Sequence, residues 1–143
     1  MRYYLDTNIL VSIVRGEGVG ELTRDVSSLL SDSENMMYTS TVCVQELIHI
    51  IQIGKLRRKK NDNVYRMALE AYDQIVCRDI RIQPLTTYHF RAYAALPMVG
   101  DHRDPFDRLI IAQAIADRIT LISSDVRFEA YRPHGLDFIY NER

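Results

Sequence analysis

Four acids in this sequence, Asp6, Glu46, Asp107 and Asp125, occupy positions from which they can act together. Asp6 follows the apolar run Tyr3-Tyr4-Leu5, and Asp125 follows Thr120-Leu121-Ile122 and two serines. Glu46 falls in the first turns of a helical stretch after Met36 to Thr39, and Asp107 opens another. In open parallel sheets ligands bind beyond the carboxyl ends of the strands, so acids placed just after strand-like runs converge on one crevice. Convergence is costly, because two unit charges about 4 Å apart repel by about 4 kcal/mol at an effective dielectric of about 20. A hard divalent cation relieves that repulsion. Oxygen-only ligation points to magnesium or manganese, which serve phosphate chemistry, and no His or Cys ligand spacing suggests zinc.

Each acid also has an ordinary explanation. Asp6 suits an Asx-type turn, and Glu46 a solvated helix face. Asp107 fits the first turn of a helix with Asp104 as N-cap and Pro105 at its first position. Asp125 suits the cap of a following turn. These explanations treat the acids singly and do not account for their common side of the inferred sheet.

The elements that must position them are legible as alternating strands and helices. Tyr3-Tyr4-Leu5 reads as a strand, then a polar turn, then a helix from Ile9-Leu10-Val11. Val19, Leu22, Val26, Leu29 and Leu30 recur at helical spacing and predict a second helix. Met36 to Thr39 predicts a strand, and Val44, Leu47, Ile48 and Ile51 a helix that Gly54 stops, with Glu46 off the apolar stripe. Val64 to Val76 predicts a helix, Ile80-Arg81-Ile82 a strand, and Thr86 to Leu96 a helix broken at Pro97. The helix opened by Asp104-Pro105 is apolar on nearly every side from Leu109 to Ala116 and is predicted to be buried. Thr120-Leu121-Ile122 and Leu136 to Tyr140 are the remaining strands. Connections too long for hairpins predict an α/β domain with a central parallel β-sheet flanked by α-helices, a single domain over residues 1–143.

With 47% apolar and 26% charged residues, the composition is that of a globular chain. No apolar run approaches the roughly 20 residues that cross a bilayer, and Asp6 arrives too early for a signal peptide, so a cytoplasmic location with no membrane association is expected. Cys43 lies in an apolar stretch, and both it and Cys77 are expected as free thiols. A net charge of −1 leaves nucleic-acid affinity to local clusters. Lys55-Leu56-Arg57-Arg58-Lys59-Lys60 is one such cluster, read equally well as a solvated helix end or as a phosphate grip.

Taken together, four stretches resemble the PIN-domain ribonucleases, and among them the VapC-type toxins of bacterial type II toxin-antitoxin pairs. They are Tyr4-Leu5-Asp6-Thr7-Asn8; Ser40 and Glu46-Leu47 before Gly54-Lys55-Leu56; His102 through Ala114; and Leu121 to Asp125 with Phe128. The resemblance spans nearly the whole chain. It implies a Mg2+- or Mn2+-dependent endoribonuclease whose catalytic, metal-holding acids are Asp6, Glu46, Asp107 and Asp125, supported by Thr7, Asn8 and Ser123. Asp104 is read as a helix cap, with a place beside the metal as the alternative. Lys55, Arg57, Arg58, Lys59 and Lys60, with Arg103 and Arg108, become candidates for gripping RNA. Arg108 is alternatively a partner of a nearby or foreign carboxylate. The resemblance further implies a small cognate antitoxin and a homodimer whose contact uses exposed apolar positions on the early helices. A non-catalytic PIN-like module that binds RNA or protein is the competing reading. A magnesium-dependent α/β phosphatase is disfavoured, because Asp6-Thr7-Asn8 lacks the second aspartate of an Asp-x-Asp motif.

Overall fold

Tyr3, Tyr4 and Leu5 are apolar on both faces, as a strand buried on both sides requires, and in the computed structural model Arg2–Leu5 forms the central strand β1. The structure describes residues 1–16 and 21–143. Along the chain follow α1 (Thr7–Arg15), α2 (Arg24–Ser31), β2 (Met36–Ser40), α3 (Thr41–Gln52), α4 (Val64–Cys77), β3 (Arg81–Gln83), α5 (Thr87–Ala95), α6 (Pro105–Asp117) and β4 (Thr120–Ser123). A 3-10 segment (Val126–His134) and β5 (Phe138–Tyr140) complete it.

The five strands order as β3-β2-β1-β4-β5, and every pairing is parallel. Leu5 pairs with Thr39 on one side and Ile122 on the other, so the residues after β1, β2 and β4 emerge along one edge. The chain moves from β1 towards β2 and later crosses back to β4 on the other flank. The carboxyl ends of β1 and β4 therefore bound the crevice where such sheets take ligands.

Helix α6 is packed inside the domain, as its sequence predicts: Ile110, Ile111, Ala112, Gln113 and Ala114 are all buried. Its far end is tied down by a polar network. The Tyr4 hydroxyl donates to Asp117 Oδ2 at 2.5 Å, and His89 Nε2 lies 2.8 Å from Asp117 Oδ1. Thr86 N donates to His89 Nδ1, so the imidazole proton sits on Nε2 and points at the carboxylate. This joins β1, α5 and α6 at the end of the sheet remote from the crevice.

Three expectations need adjustment. The second helix begins at Arg24, where the Thr23 hydroxyl caps it by accepting from Val26 N; Val19 lies outside the described residues. The stretch after Asp125 is longer than a turn, because Phe128 and Tyr131 drop into the core and fold the backbone between them into a 3-10 segment. Among the described residues, none of the exposed large apolar side chains lies on α1 or α2; Tyr65, Leu69, Tyr72 and Val76 line the outer face of α4 instead. No helix among the described residues is long and apolar enough to cross a membrane. Cys43 is buried and Cys77 exposed, both free.

Candidate metal centre

Asp6, the first residue beyond β1, caps α1 by accepting from Thr7 N through Oδ1 at 2.8 Å. Its Oδ2 accepts from the Ser123 hydroxyl at 2.6 Å and from Asn8 Nδ2 at 3.1 Å. Asn8 continues the linkage, since its Nδ2 also reaches Ser123 Oγ and its Oδ1 accepts from Ser124 N. The ends of β1 and β4 are thus sewn together beneath one carboxylate. That carboxylate is 5% exposed, and burial pushes its pKa up to about 7. Hydrogen bonds from Ser123 and Thr7 oppose the rise, while Asp107 and Glu46 add to it by repulsion.

Glu46 lies in the second turn of α3, which begins directly at the end of β2, and accepts from Thr7 Oγ1 at 2.6 Å. Asp107 lies in the first turn of α6, with its Oδ2 3.0 Å from His102 Nε2. Burial raises the pKa of both acids, and repulsion among the neighbouring acids raises it further. Asp125 caps the 3-10 segment through Arg127 N. Burial alone would raise its pKa, but hydrogen bonds and charge from Arg127 outweigh that and hold it below the usual carboxylate range. Arg127 grips Asp125 through Nε and Nη2, the shortest contact being 2.6 Å, and its Nη2 is 3.6 Å from Asp107 Oδ2.

All four acids line one cavity of about 430 Å3, together with Thr7, Asn8, Asp104 and Lys55. Asp104 caps α6 through Phe106 N and Asp107 N, so the cap reading holds, and it also faces the cavity. The N-terminal ends of α1, α6 and the 3-10 segment therefore all point at this space, and their dipoles favour the negative charge collected there. Raised pKa values on Asp6, Glu46 and Asp107 mark an under-neutralised group of oxygen donors, a set that fits a hard divalent cation.

The cations of the sequence reading are dispersed. Lys55 lines the cavity. Gly54, at φ +83, turns the chain away behind it, and Asp62 Oδ2 then accepts from the backbone N–H groups of Arg58 and Lys59. Arg57 donates to the Lys60 carbonyl and Arg58 to the Arg15 carbonyl, so these side chains, with Lys59, stand outside the cavity lining. Arg103 reaches Met98 Sδ. Arg108 corrects the expectation most clearly: it is buried, donates to the Leu96 carbonyl at 2.5 Å, and lies 5.0 Å from the Tyr93 ring centroid, facing neither the acids nor solvent.

The sequence reading missed His102, Arg127 and Arg143, the two arginines both lining the cavity. It also found no histidine among the acids, yet ligand-capable atoms of His102, Asp107 and Asp125 lie within 4.8 Å of one another. Both ring nitrogens of His102 are engaged, Nδ1 with the Tyr131 hydroxyl at 3.0 Å and Nε2 with Asp107, so the ring serves to aim a carboxylate. His102 opens one of the resembling stretches and is five residues from Asp107, Arg127 is two from Asp125, and Arg143 carried no local signal.

A parallel sheet with a carboxylate cavity at its topological switch point defines the class. The PIN domain family matches over residues 3–132, and the chain belongs to that family, whose members are in general nucleases. No curated protein sequence matches it. Solved structures share its fold at low identity. The VapBC2 complex of Rickettsia felis, bound to a promoter DNA fragment, matches at 20% identity with a TM-score of 0.71, covering 99% of this chain and 100% of that one. DNA-bound VapBC of Salmonella typhimurium matches at 15% identity and 0.70, covering 98% of each chain. FitAcB of Neisseria gonorrhoeae matches at 20% and 0.64, covering 97% of this chain and 96% of that one.

Proposed function

We propose that this chain is a divalent-metal-dependent endoribonuclease of the VapC toxin type, held in check by a small cognate antitoxin and acting as a homodimer. The observation that carries the nuclease reading is the meeting of Asp6, Glu46, Asp107 and Asp125, drawn from four distant parts of the sequence, in one cavity. The antitoxin rests on the likeness to toxin-antitoxin complexes, and the homodimer on the resemblance to VapC-type toxins alone.

In this reading the four acids hold Mg2+ or Mn2+. Held by Asp6, Glu46, Asp107 and Asp125, such a cation would supply water activation and charge neutralisation at a phosphodiester. The chain's own residues supply the geometry. The Thr7 hydroxyl fixes Glu46, Ser123 and Asn8 fix Asp6, and His102 fixes Asp107. Lys55, on the cavity rim, meets a backbone phosphate.

The Arg127 clamp favours one competing reading. A guanidinium that already neutralises Asp125 and faces Asp107 suits a PIN-like module that binds RNA or protein without cutting. Incubation of the purified, antitoxin-free protein with total bacterial RNA in Mg2+, Mn2+ or EDTA separates the two, alongside folded Asp6→Asn and Asp107→Asn variants. Cleavage that needs metal and both acids supports the nuclease; an inactive, folded wild type across those conditions supports the module.

A further inference from the structure

A second cavity, of about 260 Å3, abuts the acid cavity and shares one lining residue with it, Glu46. One wall is a single face of α3, where Val42, Gln45, Glu46 and His49 stack at helical spacing. The other is the ring of Phe106, which lies in the first turn of α6 between the two cavity acids Asp104 and Asp107. Phe106 is 50% exposed, and its place in the first turn of α6 leaves its ring at the surface.

Resting on the nuclease reading, we propose that this cavity is a base subsite: it receives the unpaired nucleobase of the nucleotide flanking the phosphodiester seated on the acids. A nucleotide joins its phosphate to its base through one sugar, so a pocket that begins at Glu46 is where that base arrives. The space lies just below the roughly 300 Å3 at which drug-sized pockets begin, enough for a ring system. An aromatic face and an imidazole offer stacking, which every base can use, and the Gln45 amide offers a donor and an acceptor to a base edge. Stacking of this kind needs a base freed from its helix, so the nucleotide seated in this pocket is an unpaired one.

The test is a double-mutant cycle between protein and substrate. Oligoribonucleotides with one mapped cleavage site are prepared intact and with the flanking nucleotide abasic, and kcat/KM is measured for wild type, Phe106→Ala and Phe106→Tyr. Wild type is expected to prefer the intact RNA by about tenfold, Phe106→Ala to lose that preference, and Phe106→Tyr to keep it. A Phe106→Ala protein that retains the wild-type preference overturns the subsite. So does one that cleaves like wild type but loses its hold on a protein partner, which assigns the ring to a protein contact. Should wild type cut no RNA, the nuclease reading fails by itself, and the subsite is read from binding of a short 2-aminopurine RNA. Fluorescence quenching by wild type and not by Phe106→Ala sustains it, and unquenched wild type overturns it.

Discussion

His102 bridges two residues that are 24 positions apart, with Nε2 3.0 Å from Asp107 Oδ2 and Nδ1 3.0 Å from the Tyr131 hydroxyl. The ring is 4% exposed and packed against Phe128 and Tyr131. A neutral imidazole that accepts from Tyr131 and donates to Asp107 satisfies all three groups at once. Groups that orient metal-holding carboxylates in this way matter about 10- to 100-fold in metal affinity or activity. His102→Ala is expected to lose metal affinity and cleavage within that range, and His102→Gln to recover part of both. Isothermal titration with Mn2+ and cleavage kinetics measure the effect; wild-type values for His102→Ala would show that the ring is mere packing.

Asp6 couples stability to pH. Its folded pKa of about 7 stands above its ordinary 3.8, so between those values the folded state binds more protons than the unfolded state. For such a group stability falls as pH rises, and the loss runs from about pH 4 to about pH 7. In EDTA, urea midpoints are expected to decline across that window. Asp6→Asn, which keeps a capping side chain, is expected to flatten the decline, and saturating Mg2+ to flatten it in the wild type. A wild-type midpoint that climbs through this range in EDTA would count against the buried, under-neutralised carboxylate.

A divalent cation held by the acids, as proposed, would compete with Arg127 for Asp125 and Asp107. The guanidinium is more than half exposed, so its hold on Asp125 is screened and worth about 1 kcal/mol. Arg127→Ala is therefore expected to tighten Mn2+ binding about fivefold, measured by titration calorimetry at low salt. Weaker binding would instead assign Arg127 to holding Asp125 in its ligating position.

Arg108 belongs to the core. Its replacement by Ala removes the hydrogen bond to the Leu96 carbonyl and the contact with Tyr93, and opens space beside α6. A loss of about 2 to 4 kcal/mol in urea unfolding is expected, with RNA affinity per folded molecule unchanged. Normal stability with weakened RNA binding would restore the role that its charge suggested.

The strands and helices were readable because their signals are local. Tyr3-Tyr4-Leu5 is apolar on successive residues, α6 is apolar all round, and Asp104-Pro105 announces a helix start. The acids were readable for a related reason: Asp6, Asp104 and Asp125 each cap the segment that follows them, and Asp107 sits in a first turn. For Asp104, Asp107 and Asp125 the ordinary explanation as helix-start residues holds and also places them at the cavity, since capping aims each helix N-terminus at the edge of the sheet where the strands end. Asp6 proves a helix cap and not an Asx turn, and Glu46 is held by Thr7 and not left on a solvated face.

What the tertiary structure alone decided is which long side chains share that space. Arg108 and Arg127 have the same chemistry, and each lies within two residues of a cavity acid. One helical step turns Arg108 into the core beneath α5, while the tight 3-10 winding turns Arg127 back onto Asp125. Lys55 separates from its neighbours because the turn at Gly54 aims it at the acids, while the Arg57 and Arg58 side chains donate to carbonyls and Asp62 holds the backbone N–H groups of Arg58 and Lys59. His102 joins the site because Tyr131, far along the chain, completes its hydrogen bonding. Local sequence determines the backbone that carries a side chain; the direction of a flexible side chain several bonds long is decided by what the rest of the fold packs beside it.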